Sequence, residues 1–176
     1  MALTSCIAIS ALLLAGCASP PASTLLGDSG SSVPTTEITA TTPRDVIGVW
    51  WLGLPVLTVK GKANLRIVGV RFAHFPTTGV SSPEFFWSSF DPGDNGAITL
   101  FDDVQFHQSG HHTDGPYVGT VLRPGAATGY GVGKITINEP GTYRISDVIV
   151  RYAEPDGSTR AQTFHINYVF KPKGGS

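Results

Sequence analysis

The sequence predicts an all-β protein built as a sandwich of two sheets, and three observations predict it. From about Asp45 to Lys171, short runs of β-branched and aromatic residues recur, separated by Gly, Pro, Asn and Asp. No segment sustains a 3.6-residue apolar period, so no helix is expected. The last run alternates: Phe164, Ile166, Tyr168 and Phe170 are large and apolar, and the residues between them are mostly polar. That pattern gives a strand one buried face and one wetter face, which places His165 on the wetter side.

The elements follow in chain order. The first 27 residues contain no Asp, Glu, Lys or Arg. Ile7 to Ala15 forms an apolar block, short of the roughly 20 residues a spanning helix needs. It matches the apolar region of a secretory signal, about 7–15 residues long. The residues Leu14-Ala15-Gly16-Cys17 then resemble the lipobox of bacterial lipoproteins, although Met1 to Ser5 lacks the Lys or Arg usual there. The resemblance implies that residues 1–16 are a signal peptide and that the chain is cut before Cys17. It further implies that the Cys17 thiol carries a diacylglycerol, which anchors the protein to the cell membrane on its extracytoplasmic side. One acyl chain binds a bilayer only marginally and two anchor stably. Cys6 would leave with the signal, so the mature domain would hold no disulfide and no thiolate metal site.

Ser, Thr, Pro, Ala and Gly dominate residues 18–44. With few large apolar groups to offset chain ordering, residues 17–44 read as a lipidated cysteine followed by a disordered tether. Residues 45–171 read as one β-sandwich domain, and residues 172–176 as a disordered tail. Within the domain, strands are expected at 47–51, 55–60, 65–75, 84–90, 97–106, 117–122 and 130–137. Residues 142–170 are expected to form a hairpin. Asp156-Gly157 supplies the tight turn, and the change of apolar parity between Ile145 and Val148 calls for a bulge near Ser146-Asp147. About seven to nine antiparallel strands with turns between them suit a sandwich. The stretches Leu122-Arg123-Pro124-Gly125, Val132 to Ile137 and Pro140 to Ile145 are similar to the later strands of bacterial immunoglobulin-like modules, without the Cys…Trp…Cys marks of antibody domains. That resemblance implies an immunoglobulin-like sandwich.

Several motifs carry no chemistry. Gly27-Asp28-Ser29-Gly30 matches the nucleophile motif of chymotrypsin-like proteases, but no histidine precedes Ser29. Asp91 to Asp102 matches a calcium loop at Asp91, Asn95 and Gly96. It has Gly93 where a ligand belongs and Asp102 in place of the bidentate glutamate, so a connecting turn is the expectation. Asp102 and Asp103 would point to opposite faces of a strand and cannot pair as a glycosidase acid and base. The net charge is −1, with 12 basic and 13 acidic residues and no long basic run, which excludes an electrostatic footprint for nucleic acid.

The segment Phe106-His107-Gln108-Ser109-Gly110-His111-His112-Thr113-Asp114 is the chief candidate site. Its bland reading is a solvated loop. Its functional reading is a binding surface made of His107, His111, His112 and Asp114, in a loop carried on a rigid scaffold. An alternative is a Zn or Cu site at His107, His111 and Asp114, since neutral imidazole and carboxylate suit those ions. Adjacent His111 and His112 cannot readily face one ion. His74 shares parity with Val68, Val70 and Phe72 and is expected in the core. Phe85-Phe86-Trp87 places rings on both faces of a covered strand, and Trp50-Trp51 is expected to leave one ring exposed. No catalytic constellation and no cofactor motif is present in the sequence. The expected function is a non-catalytic binding module whose partner is a protein or glycan of the cell envelope.

Overall fold

Two five-stranded sheets pack face to face in a computed structural model that describes residues 24–26, 36–42, 46–89, 100–125 and 127–172. In chain order the strands are β1 (Thr24–Leu26), β2 (Thr36–Thr42), β3 (Gly48–Val56), β4 (Thr58–Lys60), β5 (Leu65–His74), β6 (Glu84–Ser89) and β7 (Leu100–Asp102). A short helix, α1 (Asp103–Gln108), follows. After it come β8 (Gly115–Pro116), β9 (Val121–Leu122), β10 (Gly129–Ile137), β11 (Tyr143–Ala153) and β12 (Thr159–Pro172). Sheet I has the order β7-β3-β10-β6-β8, and sheet II the order β2-β12-β11-β5-β9. All pairings are antiparallel except β2 with β12, which is parallel.

The chain crosses from sheet I to sheet II between β3 and β5, returns with β6, visits sheet II briefly with β9, and crosses again between β10 and β11. So β10 lies between β3 and β6, and β11 between β5 and β12. This Greek-key order is that of an immunoglobulin-like sandwich. A second mark of the fold is present at the start of β11, where Tyr143 Oη donates to Glu139 O at 2.9 Å. That bond closes the corner between the sheets, as the tyrosine corner does in such domains.

The inner faces meet in one core. Leu52 and Leu54 of β3, Leu65 and Ile67 of β5, Ile135 and Ile137 of β10, and Ile145, Val148 and Val150 of β11 are all buried there. Each such side chain is worth about 1.5–3 kcal/mol in burial. β12 adds Phe164, Ile166, Tyr168 and Phe170, in the predicted alternation. Tyr168 places its hydroxyl across the core, donating to Gly53 O, and burial raises its pKa. At the crowded centre of β10, Gly131 is required for space: a Cβ there would lie 2.8 Å from Tyr117 and 2.9 Å from Leu54.

The hairpin stands as expected. Gly157 turns the chain at φ 85°, and Ser158 N donates to Asp156 Oδ1 at 2.8 Å. The register shifts between Ser146 and Val148, where Asp147 adopts φ 56°. β11 contributes Asp147 alone at that point and β12 contributes two residues, so the extra residue belongs to β12.

Other expectations are corrected. Residues 97–106 were expected as one strand; the described part is β7, three residues long, and then α1. Asp102 and Asp103 therefore flank a helix start and do not alternate along a strand. Residues 47–51 and 55–60 were expected as two strands with Leu52-Gly53-Leu54 between them, yet β3 runs unbroken from Gly48 to Val56, and Pro55 falls at the register shift opposite Tyr130 and Val132. Residues 117–122 hold a turn between the two-residue strands β8 and β9. Twelve strands are described; β1, β4, β7, β8 and β9 are only two or three residues long, and the seven longer ones agree with the seven to nine expected. The stretch expected as a tether contributes β1, paired with β4, and β2, which lies along β12 from Ile166 to Pro172. Its Thr and Ile residues are good strand formers whose composition also suits a linker.

His74 was expected in the core with Val68, Val70 and Phe72, but a register shift at Val68 switches the faces of β5: Ile67 is buried and Val68 is 37% exposed, and His74, at the end of β5, has a side chain that is 72% exposed. Both Trp50 and Trp51 are buried, at 5% and 6% exposure, because β3 is covered on both faces. Trp50 meets Phe170 edge-on in the main core, and Trp51 belongs to a second cluster on the outer face of sheet I. Phe85 and Trp87 pack on the main core and Phe86 on the second cluster, as the two-faced reading of β6 required. On β12 the wetter face ends at His165, since Asn167 and Val169 are also buried.

Candidate functional site

The second cluster builds the candidate site. Sheet I buries Trp51, Val56, Tyr130 and Val132 on its outer face, and α1 supplies Phe106 to cover them. The helix is six residues long, too short to be stable alone. Two local devices hold it. Asp102 caps the start: its Oδ1 accepts from Gln105 N at 2.7 Å, and Gln105 Oε1 accepts from Asp102 N at 3.3 Å, a closed capping box. Docking supplies the rest. Phe106 stacks on Trp51 with ring centroids 4.1 Å apart and planes 8° apart, and Trp51 Nε1 donates to Asp103 Oδ1 at 2.8 Å. Lys134, the register partner of Trp51, holds its ammonium 5.3 Å from the Trp51 ring.

The chain leaves α1 through Ser109 N donating to Gln105 O at 3.0 Å and Gly110 at φ 78°. It then turns back onto sheet I. His111 lies 5.5 Å from Phe106 in a stacked arrangement and 4.9 Å from Phe101, and its Nδ1 lies 2.8 Å from Tyr130 Oη. Asp114 pins the end of the segment to β6: its Oδ2 accepts from Ser89 N at 2.7 Å, and its own N donates to Trp87 O at 2.8 Å. The hydrogen bonds from Ser89 hold the Asp114 carboxyl below its ordinary value of 3.8; desolvation opposes this and His112 adds to the lowering.

The four predicted site residues thus divide. His111 and Asp114 are built into the surface as supports. His107 and His112 are presented to solvent, each beside one carboxylate: His107 Nε2 is 3.7 Å from Asp103 Oδ1, and His112 Nε2 is 3.2 Å from Asp114 Oδ1. The structure does not bring His107, His111 and Asp114 onto one point. His111 Nδ1 faces Tyr130, and the two Asp114 oxygens face Ser89 and His112. Among the described residues no three His, Cys, Asp or Glu side chains form a metal-holding group. Of the calcium-loop residues, Asp102 serves as the helix cap and Leu100 and Phe101 lie in β7; residues 91–99, and Cys17 with the signal segment, lie outside the described residues. No helix among them is long and apolar enough to cross a membrane.

Sequence reasoning missed the apolar part of this face. A shallow open groove of about 200 Å³ runs between the β3 edge at Ile47 to Trp50 and the helix start at Asp102 to Val104. Ile47 is 47% exposed and Val104 is 61% exposed beside it. The only sequence signal was the Asp102-x-x-Gln105 cap, which would have shown Val104 on the outer side of a helix turn.

No family model matches the chain, and no curated protein matches it. Among solved structures, murine CRIg is similar, with 16% sequence identity and a TM-score of 0.31 over 86% of this chain and 98% of that one.

Proposed function

We propose that the protein is a lipid-anchored binding module of the cell envelope, held to the membrane through a diacylated Cys17 and engaging an envelope protein or glycan with the α1 face. The supporting observation is the pre-organised surface around α1. Phe106 stacked on Trp51 fixes the helix, while Ile47 and Val104 stay exposed beside a groove, with His107 and His112 at hand. An apolar centre with a polar rim suits association, and a surface already ordered loses little conformational freedom when it binds. The anchor would keep β1 near the bilayer. Residues 18–23 separate Cys17 from β1, and seven extended links span at most about 25 Å.

Two measurements test the reading. Mass spectrometry of protein extracted from membranes is expected to find a chain beginning at diacylated Cys17; residues 1–16 still attached to an unacylated thiol would exclude the anchor. Capture from solubilised envelopes is expected to enrich a partner with the natural chain and lose it at least tenfold with Val104→Asp and with His107→Ala/His112→Ala, at unchanged melting temperature. Equal capture by all three proteins would exclude the face.

A further inference from the structure

On sheet II, away from α1, three neighbouring strands bring together His74 of β5, Asp147 of β11 and His165 of β12. The register shift makes this possible. Between the pairs Ser146–Asn167 and Val148–Phe164, Asp147 stands opposite two residues of β12, and one of them is His165. Asp147 is the one non-glycine residue with positive φ among the described residues, and bulges of this kind re-aim side chains. His165 Nδ1 lies 3.0 Å from Asp147 Oδ1. His74 Nδ1 lies 3.6 Å from Asp147 Oδ2 and 3.3 Å from Ser146 Oγ.

These contacts are not a nucleophile triad. Ser146 and Asp147 address the same nitrogen of His74, whereas a relay needs them on opposite nitrogens. They match a different arrangement. An ionised carboxylate only accepts, so it draws the imidazole proton to Nδ1 on both rings and leaves both Nε2 lone pairs outward. A carboxylate behind a histidine is the usual outer partner of a metal-ligating imidazole, fixing its tautomer and raising its basicity. Here one carboxylate backs two rings. The rings are 72% and 62% exposed, while Asp147 is only 24% exposed. β5 and β12 flank β11, so their backbones stand about 9–10 Å apart, within reach of two imidazoles meeting one ion through bonds of about 2.0–2.1 Å.

We propose that His74 and His165 bind a divalent transition-metal ion through their Nε2 atoms, with Asp147 as the shared orienting carboxylate and water completing the coordination. Two protein donors meet the ion directly, and Asp147 stands behind both rings. Imidazole donors and the order of divalent affinities favour Cu²⁺.

The test titrates the full chain, in detergent and with its thiols alkylated, with Cu²⁺ and reads the electron paramagnetic resonance spectrum. One ion with two coupled nitrogens is expected. His74→Ala or His165→Ala is expected to leave one nitrogen and bind at least tenfold more weakly. Asp147→Asn, which tolerates the same backbone conformation, is expected to keep two nitrogens and lose about 10–100-fold in affinity. An unchanged spectrum and affinity in His74→Ala/His165→Ala overturns the assignment. So does coupling that survives that variant and vanishes in His107→Ala/His112→Ala.

Discussion

Phe106→Ala is expected to free α1 and the segment after it while leaving the sandwich folded. Phe106 is almost wholly buried, stacks on Trp51, and also touches Phe101, His107 and His111 through ring contacts. Truncating a buried phenylalanine costs about 3–5 kcal/mol. In this protein that loss falls on the second cluster, which α1 closes from outside, and not on the core between the sheets. A six-residue helix has no stability of its own to absorb it. The local opening of residues 103–114 should therefore become easier by about 3 kcal/mol, near 100-fold in amide exchange. Hydrogen exchange read residue by residue is the assay. The Ser109 and Gly110 amides, bonded to Gln105 O and His107 O, should lose protection, while β11 and β12 keep theirs. Unchanged exchange at Ser109 and Gly110 together with loss of protection throughout β11 would refute the division into two clusters.

Three further outcomes follow from single groups. Tyr143→Phe removes the corner bond to Glu139 O and should cost about 0.5–1.5 kcal/mol in urea unfolding; no loss would mean that this bond does not hold the corner. Tyr117 is fully buried with no hydrogen-bond partner for its hydroxyl among the described residues, and such a group costs about 1–3 kcal/mol. Tyr117→Phe should thus leave stability unchanged or raise the melting temperature, and a clear loss would reveal a partner for the hydroxyl. The folded pKa of Asp114 is lowered, so the stability it contributes is fully present above the unfolded value near 3.8 and is lost as pH falls through the folded value. Acid unfolding of Asp114→Asn should lack that component, and an identical acid profile would contradict the role given to Ser89.

Much of the sandwich was legible because its strands are half-buried and alternate. The hairpin from Tyr143 to Phe170 and the register shift near Ser146-Asp147 could be read, since a one-residue slip exposes a whole apolar face, but not that the extra residue lies on β12 or that Asn167 and Val169 are buried. What could not be read depended on partners distant in the chain. Parity placed His74 in the core with Val68, but it cannot show the register shift opposite Arg151 and Tyr152 that exposes Val68, nor where a core ends. The Thr-rich run of β2 carries no apolar alternation, and it becomes a strand by lying along β12. At α1, Leu100-Phe101 and Val104 to Phe106 look like strand residues, and six helical positions are too few to display a period. The site was legible as a segment and not as a geometry. The histidines were found, but only the fold shows that His111 faces Tyr130, that Asp114 clamps β6, and that His107 and His112 remain at the surface.

The α1 face is proposed to meet a partner in the envelope. Photo-crosslinking in intact cells tests it most directly, with the crosslinker placed in turn at Gln108, beside the groove face, and at Asp156, in the turn of the sheet II hairpin. One discrete adduct is expected from position 108 and none from position 156. Adducts from position 156 alone, or the same adduct from both, would contradict the proposal.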